Sequence, residues 1–303
     1  MKFSAGLTLC LVGLLPSVVL SQKVLLTNDD GWAEAQIRAE YDALRAAGFD
    51  VILSAPADNQ SGKGSDSATP TPRTDPCEFD SCPANSPAVG FNATDPRLNW
   101  VNSFPVDAVR FGVQTLAPKF FGSNPDIVIS GSNVGNNLAL VSGSGTVGAA
   151  CEAAKEGITS VAFSGATADH LSFTTLESDP NSADSIAAHI YSALIIKFVK
   201  RLLANPAPIL PSGVSINVNF APTNKCPTAD SFKFILTRLI PDPFHIFKDV
   251  STCGTSHLPD EATTILRGCF ATVSVMRADN QLDVGASTQA AVLQKLDGLL
   301  SCL

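Results

Sequence analysis

Directly after a short apolar run, Val24-Leu25-Leu26, the chain places Thr27-Asn28-Asp29-Asp30-Gly31. Two adjacent carboxylates at the end of a buried strand are disfavoured by desolvation and mutual repulsion unless positive charge sits between them. A divalent cation supplies that charge. Apolar strand, acidic pair, glycine turn and then helix is also the order in which an open α/β sheet builds its active edge. Asp30-Gly31 is equally an ordinary turn dipeptide that could sit in solvent beside a helix N-cap. The choice depends on what else converges there.

Two further apolar strands end in oxygen-rich loops: Asp58-Asn59-Gln60-Ser61-Gly62, and Ser130-Gly131-Ser132-Asn133-Val134-Gly135-Asn136-Asn137. In a parallel sheet the carboxyl ends of the strands share one edge, so these loops converge. Their carboxylate, hydroxyl and amide oxygens suit Mg²⁺, Mn²⁺ or Ca²⁺; zinc would ask for Cys or His, which these loops lack. A fourth element, Ser142-Gly143-Ser144-Gly145-Thr146-Val147-Gly148, opens a helix with two hydroxyls and glycine-exposed amides, the makings of a phosphate cradle. Taken alone it reads as well as a plain N-cap at Ser144. Cation loops and cradle together suit hydrolysis of a phosphomonoester by metal-activated water attack. The competing reading is a cation-stabilised binding protein without turnover, which would not need the Ser144 loop.

Alternating strand and helix must position these loops. The pattern predicts strands over Val24–Thr27, Phe49–Ser54, Asp126–Ser130 and Ser160–Ser164, and helices over Ala33–Ala47, Val106–Gln114, Gly145–Glu156 and Ala183–Leu203. Such alternation implies a parallel sheet covered on both faces. Pro56–Pro96 is rich in Gly, Ser, Pro, Asp and Asn without sustained period and reads as a long loop. After Pro211 the rhythm changes to strands over Val214–Phe220, Phe232–Leu239 and Ala271–Met276, with a closing helix over Val284–Leu300.

Residues 1–21 read as a secretory leader: Lys2, an apolar stretch from Ala5 to Leu15, and the small-residue pattern Val19-Leu20-Ser21. Residues 22–303 are then expected as one domain, secreted and free of the membrane, since no later stretch reaches about 18 apolar residues. A net charge of −8 gives no footprint for a polyanion, which argues against nucleic-acid recognition. Cys10 leaves with the leader. Cys77 and Cys82 flank a tight loop and are expected to pair. Cys253 with Cys269 would leave Cys226 for Cys302, although spacing alone does not fix connectivity. Cys151, in a helical small-residue run, reads as a buried free thiol. Asn92-Ala93-Thr94 is a glycosylation acceptor. None of the four histidines is assigned a role, and Trp32 could stack on a base or line the pocket.

Asn28-Asp29-Asp30-Gly31, Ala55-Pro56 with Asn59-Gln60-Ser61-Gly62, Ser130-Gly131-Ser132-Asn133-Val134-Gly135, and Ser144-Gly145-Thr146-Val147-Gly148-Ala149-Ala150 with Glu152 resemble the SurE family of metal-dependent 5′/3′-nucleotidases and acid phosphatases. Val101-Asn102-Ser103 with Pro105, Asp107 and Val109 fits that family's helix entrance. The resemblance spans residues 23 to 220. It implies a three-layer α/β/α sandwich with a mostly parallel, Rossmann-like sheet, a protruding hairpin, and often a homodimer exchanging C-terminal elements; the strands after Pro211 read as a β-rich C-terminal extension over about 221–303 on the same core. The family's metal ligands fall on Asp29, Asp30, Ser61 and Asn133, with the two aspartates also catalytic. Its phosphate loop falls on Gly62, Ser144, Gly145 and Thr146, with Asn28 and Asn137 as substrate contacts or their supports. The resemblance implies a small phosphorylated substrate and a divalent cation, Mg²⁺ or Mn²⁺ before Ca²⁺. Lys63 beside Gly62 could help neutralise phosphate. The segment from about 63 to 97, with its Cys77–Cys82 loop, is an insertion. Leader and disulfides set the chain apart from cytoplasmic bacterial members and suggest a fungal-style exported form.

Overall fold

The computed structural model describes residues 21–139, 141–167 and 169–303. Residues 1–20, and with them the expected leader apart from Ser21, lie outside the described residues. The chain runs β1 (Lys23–Thr27), α1 (Ala35–Ala46), β2 (Asp50–Pro56), β3 (Val89–Phe91), β4 (Leu98–Val101), α2 (Pro105–Phe111), α3 (Ala117–Phe121), β5 (Ile127–Val134), α4 (Gly145–Lys155), β6 (Ser160–Gly165), α5 (Thr175–Ser178), α6 (Ala183–Leu203), β7 (Val214–Phe220), β8 (Lys233–Thr237), α7 (Glu261–Thr264), β9 (Phe270–Arg277) and α8 (Ala286–Lys295).

The strands form one sheet in the order β3-β4-β2-β1-β5-β6-β7-β9-β8. From β4 to β7 every neighbouring pair is parallel, whereas β3 runs against β4 and β9 against β7. After β1 the chain moves outward through β2 to β4 and then returns to β5 on the other side of β1. The switch point therefore lies between β1 and β5, where an open α/β sheet leaves a crevice beyond its carboxyl edge.

Side chains of successive strand residues point to opposite faces. Leu26 and Ile129 pack with Ile37, Tyr41 and Leu44 of α1 and Leu194 and Phe198 of α6. Leu25 and Val128 pack with Val109 of α2 and Ala149 and Ala153 of α4. Helices thus cover both faces, and the architecture is the expected α/β/α sandwich. In the larger core Phe163 lies near-parallel to Phe220 at 5.9 Å and edge-on to Phe198 at 5.5 Å, geometries that aromatic quadrupoles favour.

Several expectations are corrected. The span expected as one long loop contains β3, and β4 follows directly after it; both are short strands at the sheet edge whose few residues give too little alternation to stand out. β5 continues past Ser130 to Val134 with a register shift between Ser130 and Asn133; the glycine expected to end the strand instead accompanies a bulge. The last helix stops at Lys295, and Leu300 lies beside Phe234 of β8. The pairing Cys77–Cys82 is present and Cys151 is free and buried, but the other two bridges are Cys226–Cys269 and Cys253–Cys302. The antiparallel β7–β9 register explains the first, because Phe220 faces Ala271 and so brings the segments holding Cys226 and Cys269 together. Among the described residues no helix is long and apolar enough to cross a membrane.

Replacing Phe163 by alanine is expected to cost about 3–5 kcal/mol of stability, through lost burial and the cavity left between α6 and the sheet. A denaturant midpoint close to that of the unaltered protein would contradict this account of the core.

Candidate active site

The acidic turn sits at the carboxyl end of β1, closed by Asn28, whose Nδ2 donates to the Gly31 carbonyl (3.1 Å) and whose Oδ1 accepts from the Gly31 amide (3.2 Å). Asn28 is wholly buried, so its polar atoms serve the turn. Asp30 receives two elements. Its Oδ2 accepts from the Val134 amide at the end of β5 (2.8 Å), and its Oδ1 from the Ser61 hydroxyl (3.4 Å). Asn133, next to Val134, donates its Nδ2 to the Val134 and Gly135 carbonyls (3.1 and 2.6 Å). Its amide oxygen is the atom left to meet a ligand. Asp30, Ser61 and Asn133 are therefore brought together.

Asp29 faces the start of α4. Its Oδ1 accepts from the Thr146 hydroxyl (2.5 Å), and the Gly145 and Thr146 amides also act on its carboxylate. The positive end of a helix favours a carboxylate there. A Cβ at Gly145 would lie 2.8 Å from the Asp29 Cβ, so glycine is what permits this approach. Ser144 caps α4, its Oγ accepting from the Val147 amide (3.1 Å). Asn137 donates Nδ2 to the Ser164 and Thr146 hydroxyls (2.9 and 3.3 Å). The expected cradle thus directs Thr146 and two helix amides at Asp29, while Gly62 and Lys63 stand in an exposed loop. At Gly148 an added Cβ would meet the Gly64 carbonyl oxygen at 2.1 Å, so that loop lies directly on α4.

Burial raises the carboxyls of both aspartates, and the Asp29 charge adds to the rise at Asp30, which stands well above the ordinary range. Such a pair lacks neutralising charge. Among the described residues no three His, Cys, Asp or Glu side chains converge as a metal cluster. A cation would here be held by two carboxylates and neutral oxygens, a donor set that fits a hard divalent ion.

Several residues surrounding this turn were not singled out in the sequence. Glu78 accepts from the Asn59 amide at Oε2 (2.8 Å) and lies 3.2 Å from His170 Nδ1. His170 Nε2 is 2.7 Å from the Asp30 carbonyl oxygen. Glu34 caps α1, and Glu40 accepts from the Ser132 amide (3.0 Å). Burial lifts both carboxyls well above the ordinary range. Position in sequence hints only at His170, a few residues past β6; Glu78 lies in an aperiodic insertion and the two helix glutamates look like surface charge. Trp32 is buried and donates its indole N–H to Ser81 Oγ (2.9 Å), so it cannot stack on a ligand.

Farther out, Glu261 at the start of α7 accepts from the Ala139 amide (2.8 Å), Ser274 Oγ (2.9 Å) and Asn217 Nδ2 (3.2 Å). Burial pushes its carboxyl from 4.5 to about 8. The native state then keeps a proton that the unfolded chain releases, so this stabilisation is full below the unfolded value and is lost as pH rises through about 8. Glu261→Gln should flatten the dependence of Tm on pH across that window, gaining relative to the parent at the alkaline end. Melts between about pH 4 and pH 9 test this, and an unchanged slope would exclude Glu261 as its source.

Fold and site together define an α/β protein that gathers hard oxygen donors and a helix N-terminus at its topological switch point. Residues 24–243 match the family described as survival protein SurE, and the chain belongs to that family. It is 31% identical over 304 residues to an acid phosphatase of Yarrowia lipolytica, covering 90% of this chain and 84% of the relative. It is 33% identical over 206 residues to a protein named 5′-nucleotidase SurE from Methanocella arvoryzae, covering 66% and 67% of the two chains. The crystal structure of the SurE protein from Aquifex aeolicus superposes with a TM-score of 0.60 at 23% identity, covering 90% of this chain and 99% of that one, a likeness of fold.

Proposed function

We propose that this chain is an exported hydrolase of phosphoric monoesters, acting on nucleoside 5′/3′-monophosphates or on a broader set of small phosphorylated substrates. What supports the reading is one convergence: Asp30 within hydrogen-bond reach of Ser61 and of the β5 end beside Asn133, with Asp29 at the N-terminus of α4. Membership in a family whose relatives carry the names 5′-nucleotidase and acid phosphatase supports it independently. Three disulfides among the described residues support export, since such bridges persist in oxidising compartments.

Asp29, Asp30, Ser61 and Asn133 would hold the divalent cation, Mg²⁺ or Mn²⁺, which when bound supplies charge to the phosphoryl oxygens and an acidified water. The chain's own residues do the positioning. Thr146 and the α4 amides fix Asp29 in one orientation. The Val134 amide fixes Asp30, leaving its other oxygen toward Ser61. The exposed turn at Gly62, with Lys63 beside it, offers an unobstructed backbone and a positive charge to the phosphate, and Ser144 holds the start of α4 in place beside it. One of the two carboxylates orients the attacking water in line with the leaving oxygen.

Phosphate release from a panel of nucleoside monophosphates and an aryl phosphate, with and without chelator, tests this reading. Release that stops with chelator and returns with Mg²⁺ or Mn²⁺ is expected. Asp30→Asn should lower turnover by roughly a thousand-fold or more while Tm holds or rises, because the amide removes like-charge repulsion. Full activity in that variant would rule out this site.

A further inference from the structure

Trp32 beside the acidic turn is buried, whereas Phe79 presents an exposed ring, and its presentation is unusual. Phe79 sits within the loop closed by Cys77–Cys82, at φ 57° and ψ 28°, and Asp80 follows at φ 55°. Two successive non-glycine residues in the left-handed region are uncommon, more so when one is bulky. An aromatic side chain would ordinarily turn inward and bury its area; Phe79 is instead 38% exposed. The loop enforces this. Besides the disulfide, the Cys77 amide donates to the Cys82 carbonyl (3.1 Å), and the Glu78 amide donates to Asp58 Oδ1 (2.9 Å). Ser81 Oγ donates to the Glu78 carbonyl (2.7 Å) and accepts from Trp32.

The loop is also tied to the site. Asp58, which receives the Glu78 amide, is gripped by Arg73 through both carboxylate oxygens (2.7 and 3.0 Å). Glu78 accepts from the Asn59 amide, two residues before Ser61. The Phe79 ring lies 5.3 Å from that of His170, whose far nitrogen meets the Asp30 carbonyl. One side chain, His170, therefore separates an exposed aromatic face from Asp30, one of the residues proposed to hold the cation.

We propose that Phe79, backed by His170, is a stacking platform for the nucleobase of a nucleoside monophosphate. The proposal rests on the hydrolase reading above and adds which part of the chain discriminates among leaving groups. Every base has a flat π-face, so such a platform favours nucleotides as a class over alkyl phosphates and distinguishes weakly between bases. His170 supports the ring and, through the Asp30 carbonyl, keeps the platform in register with the acidic turn. Glu78 and the disulfide hold the loop in the displaying conformation.

The test uses the full disulfide-bonded chain and its Phe79→Ala, Phe79→Tyr and Phe79→Trp variants. The ratio of kcat/KM for adenosine monophosphate to that for glycerol phosphate should fall roughly ten-fold in Phe79→Ala, mainly through KM, and recover in Phe79→Tyr. An unchanged ratio would overturn the platform. Adenosine should quench the new indole fluorescence of Phe79→Trp in chelator, where no turnover occurs, and ribose phosphate should not. A flat adenosine titration would likewise overturn it. If the unaltered chain released phosphate from neither substrate, the hydrolase reading would fall, whereas the fluorescence titration would still decide the stacking.

Discussion

The arrangement depends on placing two like charges side by side out of water. Asp29 and Asp30 are both about 2% exposed, and burial opposes the ionised form of each. The surrounding fold answers the two differently. Asp29 is stabilised by a hydroxyl and by the partial positive charge of a helix start. Asp30 has a single backbone amide and a long contact to Ser61. The asymmetry leaves Asp30 as the group with most to gain from an external positive charge. That is the electrostatic argument for a cation at this place rather than a merely solvated turn.

The carboxyl edge is held by parts distant in sequence. β1, β2 and β5 converge because parallel pairing leaves no other arrangement. The finer alignment comes from the insertion, where Arg73, Asp58 and Glu78 join the loop carrying Ser61 to the disulfide-closed turn, and His170 reaches in from beyond β6. Behind Asp30, Glu34 and Glu40 of α1 reach the helix start and the β5 bulge. Among the described residues these carboxyls have no cationic partner, and their raised affinity for protons keeps them compatible with the acidic turn they support.

Much of this was legible in the sequence because it rests on local rules. Apolar runs ending in Asp, Ser and Asn, followed by glycine and a helix, identify strand ends on one edge, and Asp29, Asp30, Ser61 and Asn133 fall there. What could not be read depends on long-range geometry. Trp32 stands next to the acidic pair, yet its indole turns into the core. Ser144 and Thr146 sit in a cradle-like motif, but their hydroxyls serve the helix cap and Asp29. The short strands β3 and β4 offered no period to detect. The C-terminal cysteines were mispaired because nearness in sequence is a poor guide once β7 and β9 run antiparallel and carry distant segments together.

Those two C-terminal bridges are interleaved: one spans 226 to 269 and the other 253 to 302. Any single break in the chain between Cys226 and Cys302 therefore falls inside at least one covalent ring. An exposed segment, with Phe244 82% and Ile246 73% exposed, lies within the first. A cut there would leave both pieces tethered, and β8, β9 and α8 would stay with the body of the enzyme. Damage by a protease at that surface need not become loss of the fragment.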